Sequence, residues 1–326
     1  MPSWAFSSKE GIIYMTQKIK SIVASFWHEL KKNKYLFLLN LPAMLYVLIN
    51  NYIPMPGIVL AFKKYNYGKG IFGSDWVGFK NFGFLFQTGD IYRITFNTIV
   101  YNVMFIITGI IFQVAVAVIL SEIKGKYFKK VSQTLLLMPY FITWVVAGAI
   151  VYNIFSTNYG LINSIMASMG KEKIAFMNMP EIWPFLFVIF RIWKGVGYGA
   201  VVYLAAITGI DQEIYEAAQI DGANIWQRIF HITIPCIKPT IMVLLLLDLS
   251  KVIRGDFQMF YNLTGNNPTL YKVSDIIDTY VYRSLIHTQN FSMSSAAGLY
   301  QSVLGFVLII VFNAIMRKVH PESALF

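Results

Sequence analysis

Residues 211–235 read DQEIYEAAQIDGANIWQRIFHITIP, an acidic, mostly polar stretch lying between two strongly apolar runs. Carboxylates at Asp211 and Glu213 favour a helix start, because they complement the exposed N–H groups and the positive end of a helix. Glu216, Ala217, Ala218 and Gln219 are good helix formers, and Gly222 ends that helix. Trp226, Ile229 and Phe230 then recur at helical spacing, and Pro235 and Pro239 punctuate the entry to the next apolar run. The pattern is helix, glycine turn, helix, proline.

Working outward, six apolar runs are each long enough to cross a bilayer: Tyr35–Ile53, Ile94–Leu120, Val131–Phe155, Ile182–Ile207, Thr240–Phe260 and Ala296–Met316. About 20 apolar residues in a helix span the ~30 Å hydrocarbon layer, where only helices and closed barrels satisfy their backbone. The chain is 56% hydrophobic and 13% charged over 326 residues, more apolar surface than a soluble core of that size hides. The expected fold is all-α and integral to the membrane, with six transmembrane helices. The expected organisation is a tail at 1–34, a membrane domain at 35–320 with a loop at 208–239, and a short C-terminus at 321–326. The fifth run is interrupted by Asp248, Lys251, Arg254 and Asp256.

Cations flanking the runs set the expected orientation, since cytoplasmic loops are enriched in Lys and Arg. Lys9, Lys18, Lys20, Lys31, Lys32 and Lys34 precede the first run, and Lys124, Lys126, Lys129 and Lys130 fill a short loop. Arg317 and Lys318 follow the last, so both termini and residues 211–235 are expected inside the cell. The opposing loop 54–93 carries Lys63, Lys64, Lys69, Lys80 and Arg93, with many aromatic residues and glycines, and is read as folded or interfacial. The lysines before Tyr35 superficially mimic a signal peptide, but the run is long and lacks a small-residue cleavage site, so it is expected to be retained.

The net charge of +11 sits in clusters beside apolar runs, which argues against nucleic acid. Cys236 is the sole cysteine, and His28, His231, His287 and His320 show no ligand spacing, so redox and metal chemistry are not expected. No phosphate-binding loop occurs, since Gly68-Lys69-Gly70 lacks its spacing, and no nucleophile elbow or paired metal-binding histidines appear.

Glu216-Ala217-Ala218, three residues, Gly222, nine residues, Ile232, one residue, and Ile234-Pro235 resemble the EAA motif of ABC importer permeases. Ile234 replaces the usual leucine, a volume-conserving change. Tyr203–Ile207 and Ile220–Ala223 resemble the carbohydrate-importing members, and Ile276–Arg283 resembles those handling polysaccharide fragments such as alginate or aldouronates. The resemblance spans roughly residues 90–316 and implies a type I ABC importer permease fold in the bacterial cytoplasmic membrane. It further implies that a helix carrying Glu216, Ala217, Ala218, Asp221 and Gly222, with Arg228 and Pro235 behind it, couples to a separate ATPase. The implied partners are a second permease, two ATPase subunits and an extracytoplasmic sugar-binding protein, around an oligosaccharide substrate and membrane lipid. No cofactor is implied in this chain, because ATP and magnesium belong to the partner subunits.

Arg191 and Lys194 interrupt the fourth run, where each charge costs at least ~2.5 kcal/mol. With Tyr198 they fall on one helical face, beside Gly195, Gly197 and Gly199, which permit close packing. Asp248, Lys251 and Arg254 recur at i, i+3, i+6 near one face in the fifth run, suiting a polar seam. One reading makes Arg191, Trp193, Lys194, Tyr198, Asp248, Lys251 and Arg254 a substrate pathway, with aromatic faces for sugar rings and cations for anionic, uronate-like sugars. The other is an internal ion pair such as Asp248 with Arg191, or side chains reaching the interface. Asn153, Asn163 and the tyrosines at 261, 271, 280 and 282 are candidates for an external mouth, or for an interfacial aromatic belt.

Two rival functions remain. An ion-driven secondary transporter would use an intramembrane carboxylate, for which Asp248 qualifies, but no inverted repeat is visible. A lipid-linked glycosyl transferase would need an acidic pair, for which Asp275 and Asp278 qualify by spacing.

Overall fold

The computed structural model describes Ser25 and residues 28–319. Most of the N-terminal tail, His320 and residues 321–326 lie outside the described residues. The chain divides into two compact units, Met1–Ile58 and Val59–Phe326, so the first apolar run falls in a unit apart from the other five.

In the first unit, α1 (Lys34–Val47) runs into a π turn at Leu48–Tyr52, and neither segment contains a buried residue. Its large apolar side chains, among them Leu39 and Tyr46, stay exposed, as suits a helix whose surroundings are apolar.

The second unit opens with a two-stranded antiparallel hairpin, β1 (Lys63–Lys64) and β2 (Asp75–Trp76), followed by α2 (Lys80–Gln87). The loop read as folded or interfacial is therefore folded. α3 (Asp90–Glu122) is the longest helix and packs most extensively on α6 (Trp183–Thr208). Between them, α4 (Lys126–Phe141) and α5 (Trp144–Phe155) meet at 94°, so the expected third span is broken at residues 142–143. Thr143 caps α5, its hydroxyl accepting from the Val146 N–H. Among the described residues five helices are long and apolar enough to cross a membrane, and the bent pair would make six.

The fifth span lies elsewhere than expected. It runs from Ile225 to Leu249, through α8 (Ile225–Arg228), a π turn at Ile229–Thr233 and α9 (Ile234–Leu249). The prolines expected to close a loop are inside the rod: Pro235 has no N–H to offer, and the π turn before it absorbs the break. The rod stops where the expected span continued, because Asp256 caps a new helix, α10 (Phe257–Thr264), through the Met259 N–H at 3.1 Å. α11 (Ile277–Ile286) and α12 (Phe291–Val319) complete the unit.

Three buried clusters hold the helices together. Trp183, Phe187, Tyr101 and Phe260 anchor one; Ile91, Ile94, Ile277 and Ala297 another; Tyr203, Leu204, Ile229 and Ile237 a third. Ile107, Ile111, Phe306 and Ile310 stay exposed on α3 and α12. These are faces that lipid would cover.

Candidate coupling loop and polar cavity

α7 (Gln212–Ile220) stands on its own between the fourth and fifth spans, with no buried residue. Asp211 caps it, its carboxylate accepting from the Glu213 N–H at 3.0 Å. Its C-terminus is a Schellman turn: the Gly222 N–H donates to Gln219 O at 3.1 Å and the Ala223 N–H to Ala218 O at 2.9 Å. This turn needs a left-handed residue, and Gly222 supplies it at φ +79° with nothing within 4 Å of a hypothetical Cβ. Asn224 and Gln227 then form a capping box that starts the fifth span two residues after the glycine.

Two contacts fix this loop to the bundle. Tyr215 Oη lies 2.9 Å from Thr233 Oγ1 in the π turn, and Arg228 meets Glu122 at the end of α3 at 3.7 Å. Glu216 and Ala217 remain exposed, Ala218 is half-buried, and Ile214, Ile220, Trp226 and Phe230 form an uncovered apolar surface around them. Of the expected coupling residues, Glu216, Ala217, Ala218, Asp221 and Gly222 thus sit together on or beside α7, whereas Arg228 and Pro235 belong to the rod of the fifth span.

The intramembrane charges surround a cavity of about 460 Å³. Arg191, Lys194 and Tyr198 of α6 line it, with Asp248 of α9 and the turn residues Lys251, Arg254 and Asp256. Lys251 and Arg254 do not continue the α9 face, because the helix has ended at Leu249. The turn brings them to the cavity instead, pinned by Asn102, whose amide donates to Val252 O at 2.9 Å and Arg254 O at 3.3 Å. Trp193 does not line the cavity; it packs against the aromatic core beside Phe190.

Arg191 is paired, but with Asp256 at 3.0 Å and not with Asp248. The same carboxylate oxygen accepts from Trp144 Nε1 at 2.9 Å, so Asp256 joins α5, α6 and α10 at one point. Lys194 donates to the carbonyls of Tyr140 at 2.8 Å, Pro139 at 3.5 Å and Ile142. These carbonyls lie where α4 ends at the 94° break, that of Pro139 also accepting from the Ile142 N–H at 3.2 Å, and one ammonium has three protons to give them. Lys194 therefore fastens the broken span. Lys251 and Arg254 form no salt bridge among the described residues, although Asp248 lies near enough to Lys251, and Asp278 to Arg254, to feel their charge. Tyr198 stacks on Tyr140 with ring centroids 4.7 Å apart, both at the cavity wall.

Asn102, Gln113 and Asp256 line the cavity too, although the spacing of the charges does not point to them. Asn102 and Gln113 stand eleven residues apart in an apolar run, three helical turns, and that spacing is a signal of one polar face.

The candidate acidic pair is divided. Asp275 is fully buried and takes two bonds from Arg283, at 2.9 and 2.6 Å, and one from Thr279 at 2.8 Å. Asp278 accepts from the Gly255 N–H at 2.8 Å and Gln301 Nε2 at 3.0 Å, and burial raises its carboxyl above the ordinary range. Both carboxylates are occupied in holding helices together. Asn163 is likewise internal, bonded to Ser156 O and to the Ile174 backbone, and Tyr271 lies under the Arg283 guanidinium. Tyr261 and Tyr282 meet edge to face, and the Asn153 amide donates within its own helix, to Ala149 O at 2.9 Å. Among the described residues no cluster of His, Cys, Asp and Glu is arranged to hold a metal.

A family model described as binding-protein-dependent transport system inner membrane component matches residues 105–321. Protein LplB of Bacillus subtilis (strain 168) is 36% identical over 294 residues, covering 90% of this chain and 92% of that protein. The polygalacturonan/rhamnogalacturonan transport system permease protein YteP of the same organism is 35% identical over 314 residues, covering 96% of each. In a crystal structure of a bacterial alginate ABC transporter in complex with an alginate pentasaccharide-bound periplasmic protein, one chain matches with a TM-score of 0.78. It is 32% identical, over 90% of this chain and 97% of that one.

Proposed function

Since the chain belongs to the binding-protein-dependent transport system inner membrane component family, we propose that it is one permease of an ATP-driven importer of oligosaccharides carrying uronic acids. The observation that carries the reading is the free-standing helix α7, exposed and ending in an open glycine turn, joined within a few residues to a rod whose far end reaches the polar cavity. Such a helix fits a cleft in another subunit, and movement there displaces the cavity wall.

The expected assembly pairs this chain with a second permease, two ATPase subunits that hold ATP and magnesium, and an extracytoplasmic binding protein that delivers the sugar. α7 and both termini face the cytoplasm in this arrangement. Nucleotide binding shifts the population of inward- and outward-open states through α7 and its counterpart. In the cavity, Arg191 and Lys194 are held by protein partners, so Lys251 and Arg254 are the cations left to meet carboxylates on the substrate, and the stacked Tyr140 and Tyr198 offer an aromatic wall. The relatives that transport polygalacturonan and alginate support a uronate cargo.

The test is to recover the tagged chain from its native membrane in mild detergent and identify what accompanies it. A second permease and an ATPase stimulated by the loaded binding protein are expected. A chain that purifies alone and takes up sugar only under an ion gradient would replace this reading with secondary transport, and Asp248→Asn would then be the decisive variant.

A further inference from the structure

A second concavity lies at the other end of the bundle. α3 runs about 50 Å at ~1.5 Å per residue from the Arg228 contact at Glu122 back to Asp90. At the Asp90 end Ala61 and Phe62, which lead into the hairpin, and Phe82 and Leu85 of α2 share a cluster with Ile91 and Ile94, and the start of α12 meets the hairpin loop: the Tyr65 N–H donates to Ser292 Oγ at 2.9 Å. Between them is a pocket of about 510 Å³, walled by hairpin residues, α2 and residues 288–293. That volume lies within the ~300–1,000 Å³ of small-molecule sites.

Its lining is chemically uneven. Tyr65, Tyr67 and Phe291 form a mutual cluster with centroids 5.1 to 5.7 Å apart, and Tyr67 is 64% exposed. Lys64 and Lys80 are both exposed at the pocket, and among the described residues neither is in a salt bridge and no carboxylate lines it. The nearby Asp75 is taken by Lys69 at 2.8 Å. Gln289 is held at φ +51°, a conformation that residues with a β-carbon seldom adopt, and its exposed side-chain amide also lines the pocket. Aromatic faces pack the apolar C–H face of a pyranose, an amide pairs with hydroxyls, and two ammonium groups neutralise carboxylates.

We propose that this pocket is an accessory subsite on the face opposite the coupling loop, binding short uronate-bearing oligosaccharides before they enter the cavity. The choice of uronates rests on the importer reading; the site itself rests on the pocket. Anionic lipid headgroups would also attract two lysines, but most of the lining comes from the hairpin, α2 and the turn at 288–290, outside the helices long and apolar enough to cross a membrane, with Phe291–Met293 at the start of α12 closing it, and the exposed Gln289 amide suits a hydroxyl.

The experiment titrates the full chain in phosphatidylcholine nanodiscs with trigalacturonate, using maltotriose as the neutral control. Wild type is expected to bind trigalacturonate more tightly than maltotriose, and Lys64→Gln/Lys80→Gln to weaken trigalacturonate at least about tenfold at unchanged melting temperature, as loss of one charge-assisted bond requires. Tyr67→Ala is expected to weaken both sugars. No binding by wild type, or binding that survives the double lysine variant and falls instead on Arg254→Ala, overturns the subsite. So does a double variant whose only defect is weaker association with phosphatidylglycerol or with the binding protein. Failure of the importer reading would show separately, as a chain recovered without any ATPase.

Discussion

Gly222 and Gly197 are the same residue in two places with opposite reasons. At Gly222 the space is open and the backbone is left-handed; at Gly197 the backbone is helical and the space is closed, with a hypothetical Cβ falling 1.9 Å from the Leu136 carbonyl oxygen of α4. The first glycine serves an exposed turn on the proposed coupling loop, and the second serves a contact already made. A substitution at the first should therefore disturb function before fold, and at the second fold before function.

The largest expected effect breaks the comparison at its open end. Gly222→Asp should abolish transport and binding-protein-stimulated ATP hydrolysis while costing folding only about 1–2 kcal/mol, because aspartate tolerates the left-handed region better than most residues. Normal coupling in that variant would remove the role assigned to α7. Next, Gly197→Ala should cost about 3 kcal/mol, the upper end of overpacking, seen as a lowered melting temperature and heterogeneous gel filtration. An unchanged melt would mean that α4 and α6 do not approach as described.

The intramembrane cations sharpen the contrast. Lys194→Met removes the donor for the carbonyls at the α4–α5 break and should cost about 1–3 kcal/mol. Arg254 forms no salt bridge among the described residues, so Arg254→Ala should leave the melt within about 0.5 kcal/mol. It should lower uptake of anionic relative to neutral oligosaccharides, measured in proteoliposomes. If both variants melt alike, the division between fastening and transporting cations fails.

The smallest effect is a slope with pH. Burial, partly offset by the bonds from Gly255 and Gln301, leaves Asp278 with a folded-state pKa above its unfolded value. The folded protein then holds this proton more tightly, so the contribution is complete below the unfolded value and is lost as pH rises through the folded one. Asp278→Asn keeps an acceptor for both bonds and should flatten that part of the stability profile.

How much of this is legible in the sequence depends on how far apart the partners lie. The α7 helix is legible because its start, stop and exit are local: Asp211 caps two residues ahead, Gly222 turns the chain, and the acidic stretch stands out between apolar runs. The cavity is legible in its residue types, since charges in apolar runs announce themselves. Their partners are not legible. Arg191 reaches Asp256 across 65 residues, and Lys194 reaches the Tyr140 carbonyl across 54, and no periodicity encodes a carbonyl freed by a bend in another helix. Span five is misplaced by reading proline as a stop, whereas a π turn, with its one extra residue, lets the helix run through it. Trp193 has the aromatic ring a sugar site wants, but it lies two residues from Arg191 and one from Lys194, on a different face of the same helix.

The unbroken run from Ile225 to Leu249 has a mechanical meaning. At ~1.5 Å per residue it is a beam about 36 Å long, rooted beside Gly222 and carrying Asp248 near its tip. A tilt of a few degrees at the root moves the tip by ångströms, while the hydrogen-bonded backbone between them need not stretch. The Tyr215–Thr233 contact ties α7 to the lower part of that beam, which makes the short helix a handle and the π turn the place where its twist would be taken up first.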